Sequence, residues 1–446
     1  MTGDYRSNVQ DIYPLSPLQA GLLFDSVYNG DAVAHLYANR VVYDLSGKVD
    51  RDCLRAAWQQ VIDRHTILRS SFVWESLEQP RQVVQRRLRV PFTELDWRNY
   101  PPEEQERRLD FLMTNDGRRG FDLSNAPLMR LTLIRAAGDR WLMLWSYHHL
   151  LLDGWSTIIL EREVSLLYRE QLTGEPTGLG CPEPFVRYIE WIAQNQSSGA
   201  EDFWRQTLSE FREPTLLSAS GVARNSSPAT LEMSVLPEKS RRLREFARAQ
   251  RITVNSLIQG AWALTLSRCT GADDVLFGLT VSGRSGQLEG IDHMVGMFIN
   301  TLPMRVRLPG DMPVATWLRA LQIQQLEMYE YEHTAIVDIH GWSEIPRGRI
   351  IFDNILVFAD TYQETTQADE ISPYLTMHRR RFVDWTGYPL VIDVRDVGHT
   401  QVRFSYDSSV IDIAAVKRIV SWFEEMLTLI PDNPDVMLGR IAHGHP

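Results

Sequence analysis

The sequence predicts an α/β protein of two lobes, and three observations lead to this fold class. Helical and strand patterns alternate along the chain in a way that indicates mixed strand directions. The length of 446 residues exceeds what one hydrophobic core usually supports. A stretch rich in Gly and Pro at 173–184 ("TGEPTGLGCPEP") separates the halves. We therefore predict an N-terminal lobe at 1–175, a connector at 176–184 and a C-terminal lobe at 185–446.

In the N-terminal half, the clearest patterns are amphipathic helices and one pair of strands. A helix is predicted over 50–65 ("DRDCLRAAWQQVIDRH"), because Asp50 can cap its first turn and apolar residues recur at helical spacing. Its predicted core face consists of Leu54, Trp58, Val61 and Ile62. The runs at 128–135 ("LMRLTLIR") and 140–149 ("RWLMLWSYHH") flank the short segment "AAGD" and predict antiparallel strands. Another helix is predicted over 160–172.

The C-terminal half repeats this alternation. Helices are predicted over 255–269 and 412–430. Strands are predicted over 274–284, 301–308, 354–360, 390–397 and 402–410. The segment at 241–251 ("RRLREFARAQR") predicts an arginine-rich amphipathic helix. Its charges fit either a solvated face or a docking site for an acidic protein partner.

Composition and charge narrow the range of functions. With 44% apolar and 23% charged residues, the composition is that of a soluble globular protein, and the net charge of −11 argues against nucleic acid as a partner. No apolar stretch approaches the ~20 residues of a membrane span, and residues 1–11 lack a secretory signal. We therefore expect a cytoplasmic protein without membrane contact. Cys53, Cys181 and Cys269 lie far apart, which predicts free thiols.

The strongest chemical signal is the segment "SYHHLLLDGWST" at 146–157. Side chains alternate along a strand, so the rings of His148 and His149 point to opposite faces, which argues against a shared metal ion. A single histidine at the end of a strand suits proton transfer. Ser156 does not fit a hydrolase nucleophile, because "GWSTI" lacks the second glycine of GxSxG. Asp153 can orient a ring or neutralise a buried arginine, and the sequence leaves both roles open.

Residues 148–154 read HHxxxDG, which resembles the signature of condensation domains of non-ribosomal peptide synthetases, within the chloramphenicol-acetyltransferase-like group. Further segments resemble the family's motifs in the family's order, and together they cover nearly the whole chain. They are "YPLSPLQAGLLF" (13–24), "RHTILRSSF" (64–72), "GFDLSNAPLMRLTLIR" (120–135), "FVRYIEW" (185–191), "LFGLTVSGR" (276–284), "VGMFINTLPMR" (295–305) and "YEHTAIVDIHGWSEIPRG" (331–348).

The resemblance implies a fold and a reaction. It implies two acetyltransferase-like lobes in a V-shaped pseudodimer, with a tunnel at their interface and a peptidyl carrier docking at each mouth. The α-amine of the downstream acceptor attacks the thioester of the upstream donor, and an amide forms. Both substrates arrive on 4'-phosphopantetheine arms, so neither an intrinsic cofactor nor a metal is expected. The implied setting is secondary metabolism, such as antibiotic or siderophore synthesis, by a monomeric domain with an adjoining adenylation domain.

The resemblance also assigns roles to individual residues. His149 reaches the tunnel and either takes a proton from the amine or positions it, while His148 is structural. Asp153 pairs with an arginine that shapes the loop, and the candidates for that arginine are Arg64, Arg69 and Arg305. Gly154 leaves room for the reacting group. The remaining supporting residues are Trp155 and Ser156 in the same segment, together with Asn300 in the tunnel wall.

Several alternatives remain open at this point. The motifs most resemble the subtype that joins an L-donor to an L-acceptor, and "GMFINTLPMR" resembles condensing rather than epimerising domains. The motif "FVRYIEW" departs from the family pattern at Phe185 and Arg187, so Arg187 receives no role. The chain is expected to be an excised domain, with a free-standing enzyme as the alternative. Acyl transfer to a soluble amine or alcohol, and carrier docking without catalysis, are the competing functions.

Overall fold

The computed structural model describes most of the chain in two compact units. The described residues are 8–28, 37–136, 140–195, 198–218, 228–284, 288–359 and 374–442. The first unit comprises Met1–Gln196, Gly286–Phe298 and Glu364–Thr386, and the second comprises Ser197–Ser285, Ile299–Gln363 and Gly387–Pro446.

The helices and strands alternate along the described residues. The helices are α1 (Pro17–Tyr28), α2 (Arg51–Arg64), α3 (Pro102–Arg119), α4 (Gly154–Thr173), α5 (Val186–Gln194), α6 (Ala200–Thr207), α7 (Pro237–Gln250), α8 (Val254–Thr270), α9 (Val314–Tyr329), α10 (Ile336–Trp342), α11 (Ile413–Asp432) and α12 (Leu438–Ala442). The strands are β1 (Val9–Pro14), β2 (Ala38–Gly47), β3 (Ser70–Val73), β4 (Arg81–Gln85), β5 (Phe92–Asp96), β6 (Met129–Arg135), β7 (Trp141–His148), β8 (Pro228–Ser234), β9 (Asp274–Val281), β10 (Asn300–Arg307), β11 (Asn354–Ala359), β12 (Leu375–Val383), β13 (Leu390–Val397) and β14 (His399–Asp407).

The first unit contains a five-stranded sheet in the order β12-β2-β7-β6-β5 and a three-stranded sheet in the order β1-β4-β3. Strand β7 lies at the centre of the larger sheet, antiparallel to β2 and β6, and residues 142–148 are all buried. Helix α2 packs against α4, and Trp58 of α2 meets Trp145 of β7 with ring centroids 5.0 Å apart. This packing fixes the end of β7, where the two histidines lie.

The second unit is built on a six-stranded mixed sheet in the order β10-β9-β11-β13-β14-β8. Helix α8 is buried on all sides from Ser256 to Ser267, so it forms the centre of this unit's core. Helix α9 lies close to α8: a Cβ atom at Gly260 would overlap the side chain of Leu318 and crowd that of Trp317. Glycine at this position therefore permits the close packing of the two helices.

Most predicted elements are confirmed by the structure. Asp50 caps α2 by accepting hydrogen bonds from the backbone N–H groups of Asp52 and Cys53, and all four predicted core residues of this helix are buried. The predicted antiparallel strands are β6 and β7. Most of the "AAGD" segment between them, and Asp360 at the end of a predicted strand, lie outside the described residues.

The predicted connector at 176–184 does not coincide with the division into units. Helix α5 follows it, yet α5 belongs to the first unit, because Tyr188 packs on Phe298 with ring centroids 4.4 Å apart. Strand β12 also returns to the first unit, where it pairs antiparallel with β2 over Leu375–Val383. The Gly- and Pro-rich composition thus indicates an irregular segment but not a domain boundary.

The predicted arginine-rich helix is α7, and several of its charges are paired within the second unit. Arg241 pairs with Glu245, Arg242 with Asp432, and Arg244 with Asp396. In the part of the chain that the structure describes, no helix is long and apolar enough to cross a membrane.

Candidate active site

The HHxxxDG segment forms a short connection from β7 to α4. The strand ends at His148, a turn follows, and α4 begins at Gly154. The three leucines of the turn, at 150–152, are fully buried. The connection therefore anchors itself with apolar side chains and presents its histidines from a fixed backbone.

His148 points into the core of the first unit. Its Nδ1 accepts a hydrogen bond from the backbone N–H of Leu150 at 3.2 Å, which places the ring proton on Nε2. The ring packs edge-on against Phe121 and tilted against Tyr37, with centroids 6.2 Å away in both cases. Burial, together with the charge of His149, lowers the pKa of His148 to about 3. His148 is therefore a neutral side chain of the core at neutral pH.

His149 is only partly buried, and its hydrogen bonds select the other tautomer. Its backbone N–H donates to the carbonyl of Tyr37 at 2.7 Å. Its ring Nδ1 lies 2.9 Å from the carbonyl oxygen of Leu152. A carbonyl can only accept, so Nδ1 is the donor, and in the neutral ring Nε2 keeps its lone pair. His149 thus offers a hydrogen-bond acceptor that can also take up a proton.

Asp153 is the N-cap of α4. Its carboxylate accepts hydrogen bonds from the backbone N–H groups of Ser156 at 2.7 Å and of Phe298 at 3.2 Å. Its own N–H donates to the carbonyl of Gly296 at 3.1 Å. The side chain is buried, and the negative charge lies at the positive end of the helix. Asp153 therefore ties the start of α4 to the segment Gly296–Phe298.

Ser156 and Trp155 strengthen the same connection. The Ser156 hydroxyl donates to the Gly296 carbonyl at 2.8 Å and accepts from the Gly296 N–H at 3.0 Å, so it serves as a backbone partner. The indole N–H of Trp155 donates to the carbonyl of Asp292 at 2.9 Å. Gly154 is exposed and begins α4, so it adds no side chain of its own at the start of the helix.

Aromatic rings hold Gly296–Phe298 from the other side. Phe185 stands against Gly296 so closely that an added Cβ atom would overlap its ring. Phe185 also meets Phe298 in an edge-on contact at 5.2 Å, and the Tyr188 hydroxyl donates to the Phe298 carbonyl at 3.3 Å. The aromatic residues of the motif "FVRYIEW" therefore hold the segment Gly296–Phe298 in place at the start of α4.

The structure corrects the prediction that Asp153 pairs with one of three arginines, because each of the three binds elsewhere. Arg64 forms an ion pair with the buried Glu163 at 2.9 Å. Arg69 donates to backbone carbonyls, among them that of Ile62 at 3.1 Å. The family motifs therefore contain arginines that form ion pairs and hydrogen bonds, but the motifs do not reveal which groups these arginines bind.

Arg305 and Asn300 lie on β10 in the second unit. Arg305, the third candidate, pairs with Asp274 at 2.6 Å. Asn300 donates from Nδ2 to the carbonyls of Glu332 at 2.9 Å and Thr334 at 2.8 Å. Asn300 thus holds the turn after α9 against the start of β10.

Tyr37, Gly296 and Phe298 are among the residues that contact the HHxxxDG segment and were not predicted as site residues. The last two lie inside the segment "VGMFINTLPMR", and its resemblance to a family motif was the signal that could have identified them. Among the described residues, no group of three or more His, Cys, Asp or Glu side chains could hold a metal ion.

The fold and the histidine segment define a class of enzyme domain. The family model described as the condensation domain matches residues 9–443. The chain therefore belongs to the condensation-domain family. Condensation domains form amide bonds in non-ribosomal peptide synthesis, and this is the chemistry of the chain.

Individual relatives agree with this assignment. The chain is 37% identical to a linear gramicidin synthase protein of Brevibacillus parabrevis over 99% of this chain and 6% of the synthase. It is 33% identical to bacitracin synthase 3 of Bacillus licheniformis over 82% of this chain and 6% of that synthase. It thus spans a small fraction of each of these proteins. The first condensation domain of the calcium-dependent antibiotic synthetase, solved with a substrate analogue, shares the fold with a TM-score of 0.79 at 16% identity, covering 97% of this chain and 99% of that one.

Proposed function

We propose that His149 acts directly on the amine that attacks a donor thioester. The observation that carries this proposal is the hydrogen bond from Nδ1 of His149 to the Leu152 carbonyl, because it makes Nε2 the acceptor atom of the neutral ring. An acceptor amine must lose a proton as its nitrogen bonds to the acyl carbon. A neutral imidazole is suited to receive that proton near neutral pH.

The proposed reaction balances without a covalent enzyme intermediate. The amine nitrogen forms a bond to the thioester carbon, and the tetrahedral intermediate then expels the donor's thiolate as the C–S bond breaks. His149 takes one proton from the nitrogen, and that proton is available to the departing sulfur. The products are an amide and a free thiol. Ser156 takes no part as a nucleophile, since its hydroxyl is bound on both sides to Gly296.

We further propose the setting in which this reaction occurs. Donor and acceptor are carried on 4'-phosphopantetheine arms of an upstream and a downstream peptidyl carrier, next to an adenylation domain. The cytoplasmic location, the monomeric state and the preference for an L-donor and an L-acceptor belong to the same proposal. Support comes from the family, because the gramicidin and bacitracin synthases are long proteins of which this chain matches one short part.

Substitution of His149 tests the proposal. With both carriers loaded, His149→Ala should lower the single-turnover rate of dipeptide transfer by about 10²- to 10⁴-fold, the range of general-base catalysis, without weakening carrier binding. His149→Gln separates proton transfer from positioning, because an amide can accept a hydrogen bond but cannot take a proton. The exposed His378 provides the matched control, and His378→Ala should keep the wild-type rate.

Each outcome distinguishes the competing functions. A His149→Ala variant with wild-type rate would overturn the role of His149. Full activity of His149→Gln would show that His149 positions the amine and does not take its proton. Wild-type protein that binds both carriers without forming product would indicate a docking module. Product with a soluble amine or alcohol, but none with a loaded acceptor carrier, would indicate a free-standing acyltransferase.

A further inference from the structure

The carbonyl of Leu150 lies in the connection between β7 and α4 that carries His149, which is called the histidine turn below. It lies one residue after His149 and within the fully buried leucine run. A buried carbonyl needs a hydrogen-bond donor, and the β7 ladder has ended at His148. The donor is Nε2 of Gln19 on α1, at a distance of 2.7 Å. A side chain from the N-terminal helix therefore holds the turn that carries His149.

The amide of Gln19 is itself fixed in orientation. Its Oε1 accepts from the backbone N–H of Ser16 at 2.9 Å and from Nε2 of Gln82 at 2.8 Å. Gln82 lies on β4 and also donates to the carbonyl of Pro14 at 3.0 Å. Both glutamine side chains are completely buried. With Oε1 engaged by two donors, Nε2 of Gln19 must face the Leu150 carbonyl.

We propose that Gln19, oriented by Gln82, is a positioning residue that sets the place of the His149 imidazole. This inference rests on the proposed role of His149. The ring of His149 is held by the carbonyl of Leu152, two residues beyond Leu150, so a shift of the turn moves both the backbone of His149 and the acceptor of its ring proton. Small displacements of this kind reduce catalysis even when binding is intact.

The first test is Gln19→Leu, which keeps the approximate volume and removes the donor. We expect the single-turnover rate to fall about tenfold to hundredfold, while the KM for the loaded acceptor carrier changes little. The matched control is Gln105→Leu. Gln105 is also buried and donates to two carbonyls, those of Trp97 and Tyr100, but on α3 and without contact to the histidine turn. Gln105→Leu should lower Tm by about as much as Gln19→Leu does and leave the single-turnover rate unchanged.

The second test uses a pH profile that a merely structural role would not produce. In Gln19→Glu, the ionised carboxylate cannot donate to the Leu150 carbonyl, whereas the protonated acid can. Burial raises the pKa of such a carboxyl, so lowering the pH from about 8 to about 6 should restore part of the donor. We expect the ratio of the variant's rate to the wild-type rate to rise as the pH falls. The same ratio for Gln19→Leu should stay flat.

The outcomes separate this inference from the proposed function. Wild-type rates in Gln19→Leu, with His149→Ala inactive, would overturn the positioning role alone. An active His149→Ala would overturn the role of His149 first. Equal rate losses in Gln19→Leu and Gln105→Leu would show that general destabilisation, and not the turn, causes the effect, and would also overturn the inference.

Discussion

Replacing Asp153 with alanine separates the anchoring of the histidine turn from the chemistry of the histidine. The carboxylate of Asp153 caps α4 through Ser156 and also holds the backbone N–H of Phe298, and all of these groups are buried. Loss of an N-cap costs about 1 kcal/mol, and a buried N–H left without a partner costs about 1–3 kcal/mol more. The total loss of stability should therefore be about 2–4 kcal/mol.

Asp50 provides a matched control within the same unit. It caps α2 by accepting from the N–H groups of Asp52 and Cys53, but it is exposed, so water can replace it. Asp50→Ala should therefore cost only about 1 kcal/mol. Asp153→Asn adds a second comparison, because its single carbonyl oxygen can keep the cap while its NH₂ group cannot accept from Phe298.

Thermal unfolding and product formation measure the two consequences. At ~2–4 °C of Tm per kcal/mol for domains of this size, Asp153→Ala should lower Tm by about 5–15 °C, and Asp153→Asn should lie between it and the wild type. The rate should also fall, because the Leu152 carbonyl that orients His149 immediately precedes Asp153. If Asp153→Ala and Asp50→Ala lowered Tm equally, the anchoring of Phe298 by Asp153 would be refuted.

Two further predictions concern ionisable groups of the first unit. Because the pKa of His148 falls from its ordinary 6.5 to about 3, its contribution to stability is complete above pH 6.5 and is lost as the pH decreases toward 3. In urea unfolding at several pH values, His148→Gln should flatten this dependence by up to about 1.4 kcal/mol per pH unit, and an unchanged slope would contradict the burial of a neutral ring. The partly buried Arg379 pairs with Glu161, so Glu161→Leu leaves the guanidinium without its partner and should cost less than the about 3–5 kcal/mol of a fully buried pair, on the order of 1–3 kcal/mol. The double variant Glu161→Leu/Arg379→Met should recover most of this loss. If the double variant were as unstable as Glu161→Leu alone, the explanation by an unpaired charge would be refuted.

Local sequence patterns predicted the parts of the structure that depend on near neighbours. The period of two along β7 separates the directions of His148 and His149, and the structure places the first in the core and the second at a partly exposed turn. The helical spacing after Asp50 likewise predicts the buried face of α2. The cap by Asp153 was not predicted, because the helix was predicted to begin at residue 160, whereas α4 begins at Gly154, and only a ring or an arginine was predicted as the partner of Asp153.

Partners that are distant in the sequence were not predictable from such patterns. The pairing of β12 with β2 joins Leu375 to Gly47, and the docking of Phe298 on Asp153 spans 145 positions. Periodicity reports which face of an element is apolar, but not which other element covers it. For the same reason, the resemblance named Arg64 and Arg305 as candidate partners of Asp153 without revealing Glu163 and Asp274 as their actual partners.

The turn after β7 uses backbone groups to give the neutral rings of two adjacent histidines opposite tautomers. The N–H of Leu150 donates to Nδ1 of His148, and the carbonyl of Leu152 accepts from Nδ1 of His149. The same ring atom is therefore an acceptor in one histidine and a donor in the other, so the two rings are opposite tautomers. A displacement of this turn therefore changes the backbone hydrogen bonds that fix the tautomers of both rings. The hydrogen bond from Gln19 to the Leu150 carbonyl acts at the point between them, which is why a buried amide on α1 is expected to influence the rate.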